Sequence, residues 1–570
     1  MFEERLLEVH SSYAWDHRHM QFALDFAVSH DMTGLVLHRN DIVDLVVYPG
    51  RYFGATGDNY QNNLERYRDC YERAFVAPMR ADRPCRARTY LNRLIDQASD
   101  RGMKVYFENK EFSFDDTIPQ MYPRVVKNGR LCASDPFWFE FVRVKYEELV
   151  VECPGLAGLI VAPGTAESRL SIGANQCECN DCQAMTPGEW YKKLLTAIHE
   201  PLRAAGKKLI VRDFTFDSGA QAAMIDAVMD LPSDMVVALK NTPHDYYPTF
   251  PHNPRIGAVG DHDQWIEIDC MGQFFGWGIA PSVMIDDIRE RLRYGKDRGA
   301  SGVMFRTDWE GLEGHTAFDT LNRINVCAGA ALSRDLTTSE EAIYGHWVEE
   351  REMIAPGTTE AGKKELVAWV RAVIGQTWSI NSQSLFVNGC VFSESSCVPV
   401  SMADAVWVGE EKDSLKDWDP SAKDALSADA RNIRHILEKE DAALRLVTEL
   451  GDQIREGHNA LTGRAAAELR QAWGLFERYV ETFRLAVHGV FLTRYLVEQR
   501  RMGLPTDSLL EQQWSVTVEA LDSLAAELKI FYMTTAHGYP VYMLLDSERV
   551  ATLSASLRVE AGLQIASPHE

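Results

Sequence analysis

Hydrophobic and polar positions follow one rhythm from about Asp31 to Ser333: a short apolar run, a polar loop, a stretch of helical period, then another apolar run. Eight runs read as strands: TGLVLH (33–38), LVVYP (45–49), KVYFE (104–108), LAGLIVA (156–162), KLIVRDF (208–214), MVVALK (235–240), WIEID (265–269) and GVMFRTD (302–308). They are rich in β-branched residues and nearly continuous in hydrophobicity, as strands buried on both faces should be. Segments between them, such as LNRLIDQASDRGMK and PSVMIDDIRERLRYGKDRGA, carry helix signals, the second with Gly near its end. The alternation predicts an α/β chain, a (β/α)8 TIM barrel over residues 1–335, with a doubly wound sheet as the alternative.

After Leu336 the rhythm changes. ARNIRHILEKEDAALRLVTELGDQIRE and AAAELRQAWGLFERYVETFRLAVHGVFLTRYLVEQRR have a helical period and no strand alternation. Residues 336–570 are therefore expected to form a mostly α-helical C-terminal domain, whose aromatic-rich helices serve as core or as a homodimer interface. A Ser- and Cys-rich stretch near 390–400 reads as a loop.

Composition narrows the classes. A formal charge of -24 argues against nucleic acid or an anionic membrane as partner, since both reward clustered Lys and Arg. No run of about 18 apolar residues occurs, so no membrane span is expected. The charged N-terminus lacks the apolar core of a signal peptide, and the 11 scattered cysteines do not form a secreted disulfide pattern. A cytoplasmic address is the expectation.

In such a barrel, reactive groups collect just beyond the C-terminal ends of the strands. Those ends deliver Asn40, Glu167, Arg212, Asp213, Lys240, Asn241, His244 and Asp245. The last two strands add Glu267, Asp269, Gln273, Arg306, Asp308, Trp309 and His315. Several carboxylates thus meet basic and aromatic side chains at one mouth. Hydrolysis of a glycosidic bond needs a protonated carboxyl on the leaving oxygen and an ionised one across the ring. Aromatic faces pack well against the C–H edges of sugars. Glu267 and Asp269 alternate along one strand and so share a face. Carboxylates buried there are costly unless paired or functional.

The segments TGLVLHRN, RGMKVYFE, DPFWFEFVRVKYEELVVECPGLAGLIVAPGTAES, LIVRDFTF, VVALKNTPHDYYP, QWIEIDCMGQFFGWG and GVMFRTDWEGLEGHTAFDTLNR carry a resemblance. In order and wording, from Thr33 into the helices after Arg334, they resemble the catalytic barrel of the α-glucuronidases of glycoside hydrolase family 67. The resemblance implies an inverting exo-α-glycosidase that releases a uronic acid or related sugar from oligosaccharides without a cofactor. It also implies roles. Glu167 falls on the general acid, and Asp245 on one of two candidates for the catalytic base. Lys240 and Arg212 fall on residues that bind the sugar carboxylate, for which a guanidinium suits bidentate contact.

Two departures stand out. The family's other base candidate aligns with Gln273, which cannot take a proton, so Asp245 acts alone or Glu267 or Asp269 replaces it. A second carboxylate-binding lysine is replaced by Ala162 or Pro163. Asn40, Asn241, Asp308, Trp309 and His315 remain expected substrate contacts. Other barrel glycosidases of the hexosaminidase kind, a non-catalytic carbohydrate-binding barrel and a metal-dependent lyase or isomerase are the rival readings.

Finally, CECNDC places Cys177, Cys179 and Cys182 close together after Glu167. Clustered thiols point to structural zinc, which wants four ligands, and the sequence supplies no identifiable fourth.

Overall fold

A computed structural model describes residues 1–38, 42–43, 47, 77–114, 117–165, 167–173, 175, 177–214, 218–309, 311–312, 314–534 and 536–562. It contains two compact units. The first comprises Met1–Asp245, His252–Ile268 and Arg291–Glu313, and the second comprises Tyr246–Pro251, Asp269–Glu290 and Gly314–Glu570.

Eight strands close into a barrel in sequence order: β1 (Glu4–Val9), β2 (Gly34–His38), β3 (Lys104–Glu111), β4 (Gly158–Pro163), β5 (Lys208–Arg212), β6 (Val236–Lys240), β7 (Asp263–Asp269) and β8 (Gly302–Arg306). β1 runs parallel to both β8 and β2 and closes the ring. The (β/α)8 expectation holds, with one strand reassigned. The expected strand 45–49 lies outside the described residues except for Val47, which is not in a strand, and Glu4–Val9 takes the place in the ring. ERLLEV hides its nature because three of its six residues are charged, although all six are buried.

Helices α1 (His17–Ser29), α2 (Ala77–Asp100), α3 (Pro136–Glu152), α4 (Pro187–Ala204) and α5 (Ser218–Met229) follow the first five strands, and α6 (Ile285–Asp297) lies between β7 and β8. Local chemistry starts them. Asp135 caps α3 ahead of Pro136, and Thr186 and Glu189 form a reciprocal capping box at α4. No helix separates β6 from β7; that connection is a loop, and it carries Asp245.

The barrel interior is layered by the two-residue period of its strands. Leu6, Val36, Tyr106, Ile160, Ile210, Ala238, Trp265 and Met304 pack into one apolar cluster. Each contributes roughly 1.5–3 kcal/mol by burial, Ala238 less. Two residues further along, the same inward positions bear Glu8, His38, Glu108, Ala162, Arg212, Lys240, Glu267 and Arg306. The apolar plug thus gives way to a charged layer at the C-terminal end.

The second unit is helical, as expected. Its largest elements are α7 (Ala430–Glu456), α8 (Gly463–Arg501), α9 (Ser508–Thr534) and α10 (Ser547–Glu560), with α8 packed against the other three. Among the described residues, no helix is long and apolar enough to cross a membrane.

Candidate active site

The charged layer of the barrel is nearly sealed from water. Glu8, Glu108 and Glu267 are fully buried, and Arg212 is 1% exposed. Arg212 grips Glu267 through two bonds, Nε to Oε2 at 2.6 Å and Nη2 to Oε1 at 2.7 Å, and reaches Glu108 at 3.1 Å. His38 Nδ1 lies 2.6 Å from Glu8 and 2.7 Å from Glu108, and His10 contacts Glu8 as well. Burial, then the neighbouring Glu267 and Glu108, push the Glu8 carboxyl well above its ordinary range. Burial and the charge on His10 and Arg212 push His38 well below its own. Glu8, His10, His38 and Glu267 offer ligand atoms within 4.8 Å of one another. Both Glu267 oxygens are already taken by Arg212, so a guanidinium compensates the group.

Arg212, expected to clamp a substrate carboxylate, and Glu267, expected as a stand-in base, are bonded to each other in this layer.

At the upper edge of this layer, the arrangement opens. Lys110, at the end of β3, pairs with Glu167, whose side chain is 42% exposed. Lys240, at the end of β6, holds Asp245 at 2.6 Å. The two ammonium groups lie 4.5 and 4.4 Å from the centroid of the same ring, Phe214, just past β5. Glu167, Lys110, Phe214, Lys240 and Asp245 are thereby gathered around one aromatic ring. Burial raises the Asp245 carboxyl, but Lys240 and then His244 outweigh it and hold it at about 2.

The two carboxylates are placed by built loops. Gly164 leaves β4 at φ +64°, where a Cβ would stand 2.8 Å from the Trp190 ring. Its N–H and the Ser168 hydroxyl both donate to Glu111 O, each at 2.7 Å, tying the turn that bears Glu167 to β3. Arg169 donates to Phe114 O at 2.8 Å. On the other side, Asp245 itself sits at φ +42°, an uncommon conformation for a residue with a side chain. Thr242 donates to its carbonyl, and Asn253 fixes the loop by donating to Lys240 O at 3.1 Å.

The remaining expected residues have other partners. Asp269 accepts backbone N–H groups of Met271, Gly272 and Gln273, so it caps the turn after β7. Asp308 accepts those of His10 and Ser11 at the end of β1. In the second unit, His315 Nε2 donates to Trp277 O at 2.5 Å, and Ser396 joins Gln273 O to Gly276 N. The Ser-rich stretch near 390–400 is thus a loop folded onto the Gln273 turn. The half-buried Trp309 lies over Gly311. The buried Asn241 Oδ1 has no hydrogen-bond partner among the described residues. Asn40 lies outside the described residues.

Sequence reading missed Lys110 and Phe214. KVYFENKEF carries the signal: Tyr106, Glu108 and Lys110 alternate inward, and Lys110 registers with Ala162 on β4.

Fold and site together define a closed parallel barrel with a pair of lysine-held carboxylates at its C-terminal end. No family model matches the chain, and no curated protein matches it in sequence. Among solved structures, a GH138 enzyme described as targeting pectin rhamnogalacturonan II shares the fold, with a TM-score of 0.55 and 13% identity. The match covers 93% of this chain but 61% of that protein, so the chain spans less than two thirds of its length. The Thermobaculum terrenum O-GlcNAc hydrolase, as a mutant, aligns at a TM-score of 0.36 and 8% identity, over 99% of this chain and 97% of that one.

Proposed function

We propose that the chain is a glycoside hydrolase acting on an acidic sugar, of the α-glucuronidase kind, with its chemistry at the barrel mouth. Glu167 donates a proton to the leaving oxygen, and Asp245 activates water on the opposite face of the ring. The observation that carries this reading is the double lysine–carboxylate arrangement about Phe214. A glycosidase needs two carboxyl groups on one sugar. A uronic acid adds a carboxylate of its own, for which Lys110 and Lys240 offer cations among the described residues. An incoming sugar carboxylate that draws Lys110 away releases Glu167 from that ammonium. Phe214 offers the apolar face for the ring. Asp245, held near the bottom of the carboxylate range, stays ionised as a base must.

The GH138 neighbour's described target is a pectic polysaccharide, which makes galacturonides a natural companion to glucuronides in the test. Aryl α-glucuronide, α-galacturonide and the matching neutral glycosides are offered at equal concentration, with release followed by absorbance and the first-formed anomer by NMR. Release from a uronide with inversion is the expected result. Release from neutral glycosides alone would remove the lysines from the mechanism, and retention would remove the water-activating role of Asp245.

A further inference from the structure

The fourth cysteine that the sequence withheld stands beside the other three. Cys132 follows a short hairpin (Val126–Lys127 with Arg130–Leu131) in the connection after β3, whereas Cys177, Cys179 and Cys182 lie in the connection after β4. The four sulfurs all lie within 4.8 Å of one another. Cys132 Sγ is 3.6 Å from both Cys179 Sγ and Cys182 Sγ. A disulfide would bring two of them to about 2.05 Å; all four are free. Zinc–thiolate bonds of ~2.3 Å directed to the corners of a tetrahedron set sulfurs about 3.8 Å apart. The observed spacing brackets that value.

Thiols also cluster simply as small apolar groups, but this cluster is surrounded by donors. Lys127 Nζ lies 3.7 Å from Cys179 Sγ, the Ser134 hydroxyl 3.1 Å from Cys182 Sγ, and the Cys182 N–H points to Cys179 Sγ at 3.5 Å. Apolar packing calls for none of these, whereas four thiolates around a dication carry an excess of two negative charges that donors offset. The frame is rigid as well. Trp138 of α3 donates to Cys132 O at 3.1 Å, and Trp190 of α4 donates to the adjacent Ala133 O at 3.0 Å.

We infer that Cys132, Cys177, Cys179 and Cys182 form a four-thiolate structural zinc site that clasps the β3 connection to the β4 connection. Glu167 lies in the short span between the end of β4 and the first ligand of the β4 connection, Cys177. The zinc is a clasp for that loop and takes no part in the reaction. The inference stands without the glycosidase reading, because it rests on the sulfurs alone.

The test uses the full chain, purified without a metal-affinity step under reducing conditions, with metal measured by plasma mass spectrometry. One zinc per chain is expected, with X-ray absorption showing four sulfur neighbours at about 2.3 Å. Cys132→Ser and Cys179→Ser should lose the metal, and Cys153→Ser, outside the cluster, should keep it. Should the serine variants fail to fold, cobalt loaded into the wild-type chain provides the second measurement. Strong thiolate-to-cobalt charge-transfer bands and the intense visible bands of a tetrahedral ion support the site. Substoichiometric zinc after reconstitution, iron in its place, oxygen or nitrogen neighbours, or full retention in both serine variants would overturn it.

Discussion

Replacing Arg212 with Met tests whether the buried layer is held by charge compensation. Arg212 is 1% exposed and contributes three contacts, two to Glu267 and one to Glu108. Methionine keeps much of the length and removes the charge. Taking one partner from a buried ion pair costs about 3–5 kcal/mol, because the other charge is left uncompensated. Here two carboxylates lose the same guanidinium, which places the loss at about 5 kcal/mol, a large share of a typical total stability of 5–15 kcal/mol. With a urea dependence of about 3 kcal/mol per molar, the midpoint of the barrel transition should fall by roughly 1.5 M. Adding Glu267→Gln to Arg212→Met should recover about 2 kcal/mol, since one of the two stranded charges is gone.

The pH dependence follows in sign. Without Arg212, burial with no offsetting charge favours the protonated forms of Glu267 and Glu108 in the folded chain. Their ionisation then opposes folding, so the penalty grows as pH rises. The gap between variant and wild type should therefore widen from pH 5 to pH 8. Urea titrations followed by tryptophan fluorescence at several pH values measure it. An unchanged midpoint, or a loss that does not vary with pH, would refute the compensation argument.

Lys110→Met should weaken kcat/KM for a uronide by about 10- to 150-fold, the worth of one hydrogen bond to a charged group, while sparing the corresponding neutral glycoside, whereas Lys240→Met, which also takes the charge away from Asp245, should slow both; steady-state kinetics on matched substrates decides it. Glu8 has a raised folded-state value, so its contribution is complete below its ordinary 4.5 and is lost as pH rises; Glu8→Gln should abolish that slope in urea midpoints between pH 5 and 8. His488 is pushed down by burial, and further by Arg484, from 6.5 to about 4. The unfolded chain takes this proton first, so stability is lost as pH falls from 6.5 toward 4, by up to about 3 kcal/mol; His488→Gln should flatten that window in thermal melts.

Much of the barrel was legible because buried parallel strands read as continuous apolar runs, and seven of the eight strands announced themselves in this way. β1 did not: Glu4, Arg5 and Glu8 mask a strand whose flanks face other strands and the polar layer. The helical C-terminal half was legible from period alone. At the site, the strand-end rule brought out Glu167, Asp245 and Lys240, and it equally promoted Asp269 and Asp308. Those two turn out to accept backbone N–H groups, a role with no sequence signature beyond an acid near a turn. Partners contributed across strands were hidden. Lys110 reaches Glu167 from the neighbouring strand. Cys132 reaches Cys179 over 47 residues, and Arg212 reaches Glu267 over 55. Such meetings depend on register and closure, which a local pattern does not encode.

The most direct measurement of the central claim is the leaving-group dependence of Glu167→Gln on uronide substrates. A variant lacking only the proton donor should keep close to wild-type turnover on a dinitrophenyl glycoside, whose leaving group needs no proton. It should lose about 10²- to 10⁴-fold on an alkyl glycoside. Equal losses on both substrates, or none on either, would contradict Glu167 as the acid that works opposite Asp245.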